Sequence, residues 1–394
     1  MRISPRRLAA VAAALTAVLA APAGTSGAAA PPPVPAPLRM ASEGGIAGQY
    51  LVTLAAGTDP RSVVREVGAA PMFTFTSALL GFAARLTDRQ VSELRTVPGV
   101  RAVEQDAVVT MPRPQAVAAA SDEVSWGLAR INHREAGAAG FSVRATGADV
   151  TSYIIDTGID FAHEEFGGRA VPGYDVVGDG QQGADCNGHG THVAGTVGGA
   201  HSGVARGTRL VSVRVLGCDG SGSIASVVAG VNWVAEHAVK PAVANLSVGG
   251  PHTEASERAV EGLAAAGVFP VVAAGNGDTD ACGTSPAGAP EAFTVAAADE
   301  SDRKAEFSNW GPCVDINAPG TNITSAARGG GFARMSGTSM AAPHVTGVAA
   351  LYKDTHGDVS TAALAAWLTA NATPDVPALL PAGTPRLMLY TGGL

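Results

Sequence analysis

Tyr153-Ile154-Ile155-Asp156-Thr157-Gly158 closes an apolar stretch of strand length (residues 150–155) with a carboxylate and a glycine turn. A strand apolar at successive positions is buried on both faces, the habit of a parallel sheet covered by helices. Five more stretches of this kind follow, at 210–216, 242–248, 268–273, 293–298 and 314–317. Helical spacing appears at 189–198, 223–238 and 254–266 between them, then at 339–353 and 360–370. This alternation predicts an α/β domain over 121–394, a mainly parallel sheet with helices on both faces. In such sheets functional side chains gather at the carboxyl ends of the strands. Asp156 stands at one of those ends. A carboxylate leaving an apolar strand is partly desolvated and needs donors, so taken alone Asp156 is equally a turn former or a cap.

Upstream the pattern differs. Arg2, Arg6 and Arg7 precede an apolar run at 8–21 and small residues ending Ala28-Ala29-Ala30, the layout of a secretory signal over 1–30. The run is shorter than the ~20 residues of a membrane span. No later segment is long and apolar enough to anchor the chain, so a secreted, extracellular protein is expected. Residues 31–45 read as a linker. Residues 46–111 read as a small α+β unit, with strands at 50–54, 79–86 and 100–110 and helices at 59–67 and 87–96. It holds no His and no Cys, which argues against a catalytic role. Pro112, Pro114 and a run of alanines then suggest an exposed processing linker over 112–120, where nicking is expected.

Of 394 residues, 46% are hydrophobic, and the mean hydropathy of +0.19 suits a large core. Charge is uneven: 11 basic against 7 acidic residues through position 116, 15 against 27 beyond it. An acidic second part argues against nucleic acid and against an anionic membrane surface as partners. A monomer is the simplest expectation.

Two further stretches supply chemistry. Asn187-Gly188-His189-Gly190-Thr191-His192 opens a glycine-bearing helix, costly by about 1 kcal/mol per glycine against alanine. Such a helix makes sense where backbone must come close to something, and the flanking glycines leave His189 uncrowded. A metal pair of His189 and His192 lacks a third ligand at a recognisable spacing. In Ser336-Gly337-Thr338-Ser339-Met340-Ala341-Ala342-Pro343-His344 a glycine-hinged turn runs into a helical Ala/Val pattern, placing Ser339 near a helix start. Free N–H groups and the helix dipole there favour an anion. Alone, Ser339 reads equally as a plain cap. A serine hydroxyl becomes nucleophilic when a neutral imidazole takes its proton and a carboxylate fixes the imidazole tautomer. Asp156, His189 and Ser339 offer those groups.

Those three stretches, in the order Asp, His, Ser, resemble the signatures of subtilisin-like serine peptidases, above all the proteinase K and aqualysin-like branch. The unit at 46–111 resembles their inhibitory propeptide, through Ala78-Leu79-Leu80-Gly81-Phe82-Ala83-Ala84 and Pro98-Gly99-Val100. The resemblance implies a secreted serine endopeptidase working through an acyl-enzyme and made as a precursor. Its propeptide would assist folding and block the cleft as an intramolecular inhibitor, with 108–111 leading into it. Self-cleavage near Val117–Ala120 would release the enzyme. Asn276 would donate to the oxyanion beside the Ser339 N–H. Ser221, Gly222 and Ser223, with Ser247, Val248 and Gly249, would be the strands that grip the peptide. The 247–249 segment with Ala273, Ala274 and Gly275 would line an uncharged pocket, implying broad specificity with an apolar or aromatic residue before the cut.

Four cysteines in an exported chain favour two disulfides, with three pairings open. The resemblance selects Cys186–Cys218 and Cys282–Cys313. It also implies a structural Ca²⁺ on Asp315 with the backbone carbonyls of Pro290 and Ala292, a cis peptide at Ser285-Pro286, and no cofactor for catalysis. Two other readings stand against it. A secreted lipase or esterase needs its acid and histidine after the serine, where only residues 340–394 follow. A non-catalytic peptidase-like binding protein would not need its catalytic positions intact.

Overall fold

The computed structural model describes residues 34–111, 117–120, 125–378 and 380–394, without the side chains of 117–120. The expected signal segment, and 112–116 of the processing linker, lie outside the described residues. Residues Pro35–Leu394 form one compact unit.

Its first part contains β1 (Leu38–Arg39), β2 (Gly45–Leu54), α1 (Pro60–Glu66), β3 (Pro71–Phe75), β4 (Gly81–Arg85), α2 (Asp88–Leu94) and β5 (Val100–Thr110). The strands form one sheet in the order β1-β5-β2-β4-β3. Strand periodicity explains the unbroken apolar runs. Tyr50, Val52 and Leu54 face α1 and α2, packing with Val63, Phe82 and Leu94. Leu51, Phe75 and Ala83 share the opposite core with Val227, Val231 and Val260 of the larger part. Asp59 caps α1 by accepting from Arg61 N at 3.0 Å, and Thr87 with Gln90 forms a capping box on α2. Two pieces were not anticipated: β1 inside the expected linker, and β3.

The larger part begins with β6 (Val117–Ala120), α3 (Trp126–Asn132), β7 (Thr151–Asp156), β8 (Ala170–Asp175), α4 (His189–Gly198), β9 (Arg209–Arg214), β10 (Ser221–Ser223) and α5 (Ile224–His237). It continues with β11 (Ala242–Leu246), β12 (Gly250–Pro251), α6 (Glu254–Ala265), β13 (Phe269–Ala273), β14 (Thr284–Ser285), β15 (Phe293–Ala298) and β16 (Ile316–Pro319). The last elements are β17 (Ile323–Ala326), β18 (Phe332–Met335), α7 (Thr338–His356), α8 (Thr361–Asn371), β19 (Thr373–Pro374) and β20 (Leu387–Met388).

The main sheet runs β19-β20-β16-β15-β13-β11-β7-β9-β8, parallel except between β19 and β20. All six anticipated strands are in it. Both faces are covered: Val271 and Ala273 of β13 pack with Ala341 and Val345 of α7, and Val272 packs with Val228 and Leu263 of α5 and α6. The carboxyl ends of β7, β11 and β13 therefore open side by side, bringing Asp156, Ser247 and Ala274 to one rim.

Disulfides join Cys186 to Cys218 and Cys282 to Cys313, closing separations of 32 and 31 residues. The Ser285–Pro286 peptide is cis, as are Lys240–Pro241 and Val376–Pro377. Residues 117–120, read as part of an exposed joint, form a strand antiparallel to β18.

Candidate active site

Asp156 is the last residue of β7, and its backbone carbonyl accepts from Val215 N of the next strand at 2.9 Å. Its carboxylate is fully buried. Oδ1 accepts the Thr157 N–H at 2.7 Å and pairs with His189 Nδ1 at 2.7 Å. A carboxylate only accepts, so this contact puts the imidazole proton on Nδ1 and leaves Nε2 as a lone pair. Asp156 Oδ2 is buried with no hydrogen-bond partner among the described residues.

His189 is the first residue of α4, and the cap residue Gly188 has φ of 115°. The glycine-bearing helix has a steric reason. A Cβ on Gly190 would stand 2.1 Å from the Gly158 carbonyl oxygen, so only glycine lets α4 approach the strand end this closely.

Ser339 lies in the first turn of α7 after Gly337. Its hydroxyl donates to the Ser247 carbonyl at 3.3 Å. Pro343 stands inside the same helix and has no N–H to bond back to the Ser339 carbonyl. The Ser247 hydroxyl takes that place, donating to Ser339 O at 3.0 Å. Asn245 Nδ2 in turn donates to Ser247 Oγ at 2.8 Å, and Thr346 Oγ1 donates to Asn245 Oδ1 at 3.0 Å. Ser247 follows Leu246, which pairs with Ile155, so it lies one strand from Asp156. Helices α4 and α7 share a buried cluster containing Val193, Ala194 and Met340.

Asn276 Oδ1 accepts from Thr338 N and Thr338 Oγ1, both at 2.9 Å. Its amide oxygen is thereby committed, and the Nδ2 donors remain for the cleft. His192 and His344 contribute elsewhere. His192 Nε2 donates to Ile323 O at 2.9 Å, and full burial pushes its pKa down to about 3. His344 Nδ1 donates to Met340 O at 2.8 Å, with a pKa pushed down by burial to about 4. Both are neutral core histidines.

All six anticipated pocket residues (247–249 and 273–275) line one cavity together with Asn276 and Ser339. Sequence reading missed Thr279, Thr284, Ala287 and Asn309, which line it too. Asn309 holds its floor, donating to Ala274 O at 2.8 Å and accepting from Gly277 N at 2.9 Å and Thr279 N at 3.1 Å. Thr110 and Met111 of the small unit reach the same cavity. β5 enters it as an added strand, with Thr110 opposite Ser221, Val109 opposite Gly222 and Val108 opposite Ser223. Met111 N donates to Gly220 O at 2.8 Å. Val109 lines a second, smaller cavity with Ile224, Val227 and Pro286.

The small unit holds the large one by further contacts that were not read from sequence. Glu104 accepts from Glu254 N and Ala255 N at the start of α6, both at 3.0 Å. Asp106 accepts from Ala225 N at the start of α5 at 3.1 Å, and from Gln49 Nε2 at 2.6 Å. Burial pushes the pKa of both carboxyls up. Asn232 Oδ1 accepts from three successive N–H groups, Thr76, Ser77 and Ala78, at 2.9–3.1 Å.

Residue 315, the expected calcium ligand, is half-buried. Asp315 N donates to Thr294 O at 2.9 Å and Thr294 N returns a bond to Asp315 Oδ2 at 2.7 Å, which sets the carboxylate beside the 290–294 turn. It has no ion pair among the described residues, and burial pushes its pKa up to about 6.

Compared with known proteins, residues 147–386 match the subtilase family and residues 50–112 match the peptidase inhibitor I9 family. An extracellular serine proteinase of Thermus sp. (strain Rt41A) is 46% identical over 320 residues, 80% of this chain and 77% of that protein. An alkaline serine exoprotease A of Vibrio alginolyticus is 46% identical over 300 residues, which are 76% of this chain and 56% of the relative's length. The crystal structure of a cold-adapted subtilisin-like serine proteinase superposes with a TM-score of 0.67 at 47% identity, covering 68% of this chain and 98% of that one.

Proposed function

Because the chain belongs to the subtilase family of serine proteases and carries an I9 inhibitor domain, we propose that it is a secreted endopeptidase precursor using Asp156, His189 and Ser339 as its triad. The observation that carries this reading is the 2.7 Å bond from His189 Nδ1 to buried Asp156. It leaves Nε2 as the base at the rim where Ser339 starts α7. In the reaction His189 takes the Ser339 proton as the hydroxyl attacks the scissile carbonyl, forming a tetrahedral intermediate. The Ser339 N–H and Asn276 Nδ2 stabilise its oxyanion. His189 then protonates the leaving amine, and water repeats the sequence to free the acyl-enzyme. No cofactor takes part.

The substrate adds as a strand against Ser221–Ser223, as β5 does in the precursor. The residue before the cut enters the pocket at 247–249 and 273–275. Among the described residues Glu43, from the stretch before the small unit, is the one ionisable residue in its lining, so apolar and aromatic side chains are preferred with broad tolerance. A peptide-library digest showing strict Lys or Arg dependence would reject that preference. The small unit inhibits in cis until the chain cuts itself within the 112–120 stretch. The segment at 1–30 directs export. Among the described residues no helix is long and apolar enough to cross a membrane.

Asp315, with the carbonyls of Pro290 and Ala292, would hold a structural Ca²⁺. A half-buried carboxylate without a counter-charge, beside a turn, suits a hard cation with oxygen ligands. The central test is Ser339→Ala: the chain should accumulate as an unprocessed precursor that a serine-directed phosphonate does not label. Correct self-processing of that variant would overturn the reading.

A further inference from the structure

One buried carboxylate outside the proposed triad is bonded to both elements that carry the Asp–His pair. Asp185 lies in the loop before α4, next to the Cys186–Cys218 disulfide, and is buried. Its Oδ1 accepts from Asn187 N at 2.8 Å, Gly188 N at 2.9 Å and Thr157 Oγ1 at 3.0 Å. Its Oδ2 accepts from Thr191 N at 3.0 Å and Thr191 Oγ1 at 2.6 Å. The Thr157 hydroxyl, having donated to Asp185, accepts from Gly190 N at 2.9 Å. The N–H groups on either side of His189 and the residue after Asp156 thus converge on one carboxylate and one hydroxyl.

An ordinary helix cap takes one or two N–H groups of its own helix. Asp185 does that, and it also takes a hydroxyl from the strand end. It therefore sets the distance between two elements as well as finishing one of them. The backbone is built for this closeness: a Cβ on Gly158 would lie 2.7 Å from the Ala184 carbonyl carbon and 2.8 Å from Asp185 N. Five donors also need a full carboxylate. An asparagine has one acceptor oxygen and would turn its own NH₂ against N–H groups.

We propose that Asp185 is a positioning residue, holding the strand end of Asp156 and the helix start of His189 at the spacing where their hydrogen bond forms. This rests on the triad reading above. Its test compares Asp185→Asn and Thr157→Val with the parent enzyme. Matured protein is counted by phosphonate titration and assayed on a peptide anilide well below each Tm. Misplacing a base lowers turnover steeply, so kcat should fall roughly 10–100-fold with KM little changed. The far-downfield proton resonance of the His189–Asp156 bond should broaden or vanish in both variants. Thr157→Val leaves every helix-side donor of Asp185 in place, so it decides the matter should Asp185→Asn fail to fold. A Thr157→Val enzyme with parental kcat and an intact resonance reduces Asp185 to a cap and overturns the proposal. His189→Ala, matured by added parent enzyme that is then removed and quantified by absorbance instead of phosphonate, separates the two ideas. If that variant is dead while Thr157→Val is fully active, only the positioning role falls; if it is active, the triad falls with it.

Discussion

At the scale of single residues, two buried groups carry consequences that a variant or a buffer change can read. The Ser339 carbonyl, which Pro343 cannot serve with an N–H, accepts from Ser247 Oγ. Ser247→Ala strands that carbonyl and the Asn245 amide in the core, at a cost of about 1–3 kcal/mol. Urea unfolding of the phosphonate-blocked enzyme should show the loss, and it should show less in Ser247→Thr. Asp315 behaves oppositely to a salt-bridged carboxylate. Its folded pKa is raised to about 6, so the metal-free fold binds the extra proton, and stability is lost as pH rises through about 6. The proposed calcium, bound to the ionised carboxylate, would remove that loss. The Tm of chelated enzyme should therefore fall between about pH 4 and 6 while that of calcium-loaded enzyme does not. A chelator without effect at neutral pH would rule the site out.

At the scale of elements, what was legible depended on whether side chains alone carry the signal. The six core strands could be read because both faces are buried and the runs are apolar throughout. β8 could not, since Pro172 and Gly173 interrupt it; it lies at the sheet edge, where proline is tolerated. The three stretches proposed to be catalytic stand out through residue types at fixed neighbours. Asn309 and Asp185 were invisible because they bond backbone N–H groups, which no side-chain pattern encodes. The helix α4 turns the same point into a prediction. In Gly190→Ala the new methyl meets the Gly158 carbonyl at 2.1 Å, and backbone cannot yield as a flexible side chain would. Forcing it in should cost at least ~1–3 kcal/mol and separate His189 from Asp156. Calorimetry of this change in a Ser339→Ala background checks the stability, and turnover in the active enzyme checks the geometry.

At the scale of the whole molecule, the small unit docks through two carboxyl groups, Glu104 and Asp106, placed at two helix starts. Glu104 and Asp106 are two apart on β5 and so share a face, yet in sequence they pass for ordinary surface acids. Burial in the docked chain raises both pKa values, so to the extent that docking buries these carboxyls their protonated forms favour the docked state. Docking should weaken as pH rises through those values, and Glu104→Gln with Asp106→Asn should flatten the dependence. Calorimetry of the Ser339→Ala precursor from acid to neutral pH reads this directly. One further property follows from the two added strands. β5 runs along Ser221–Ser223 just before the 112–120 stretch, and Val117–Ala120, the end of that stretch, runs along β18. The proposed processing stretch is thus held at both ends by the chain that would cut it. Maturation by the proposed self-cleavage would then be first-order, and a hundred-fold dilution of fresh precursor should leave its half-time where it was.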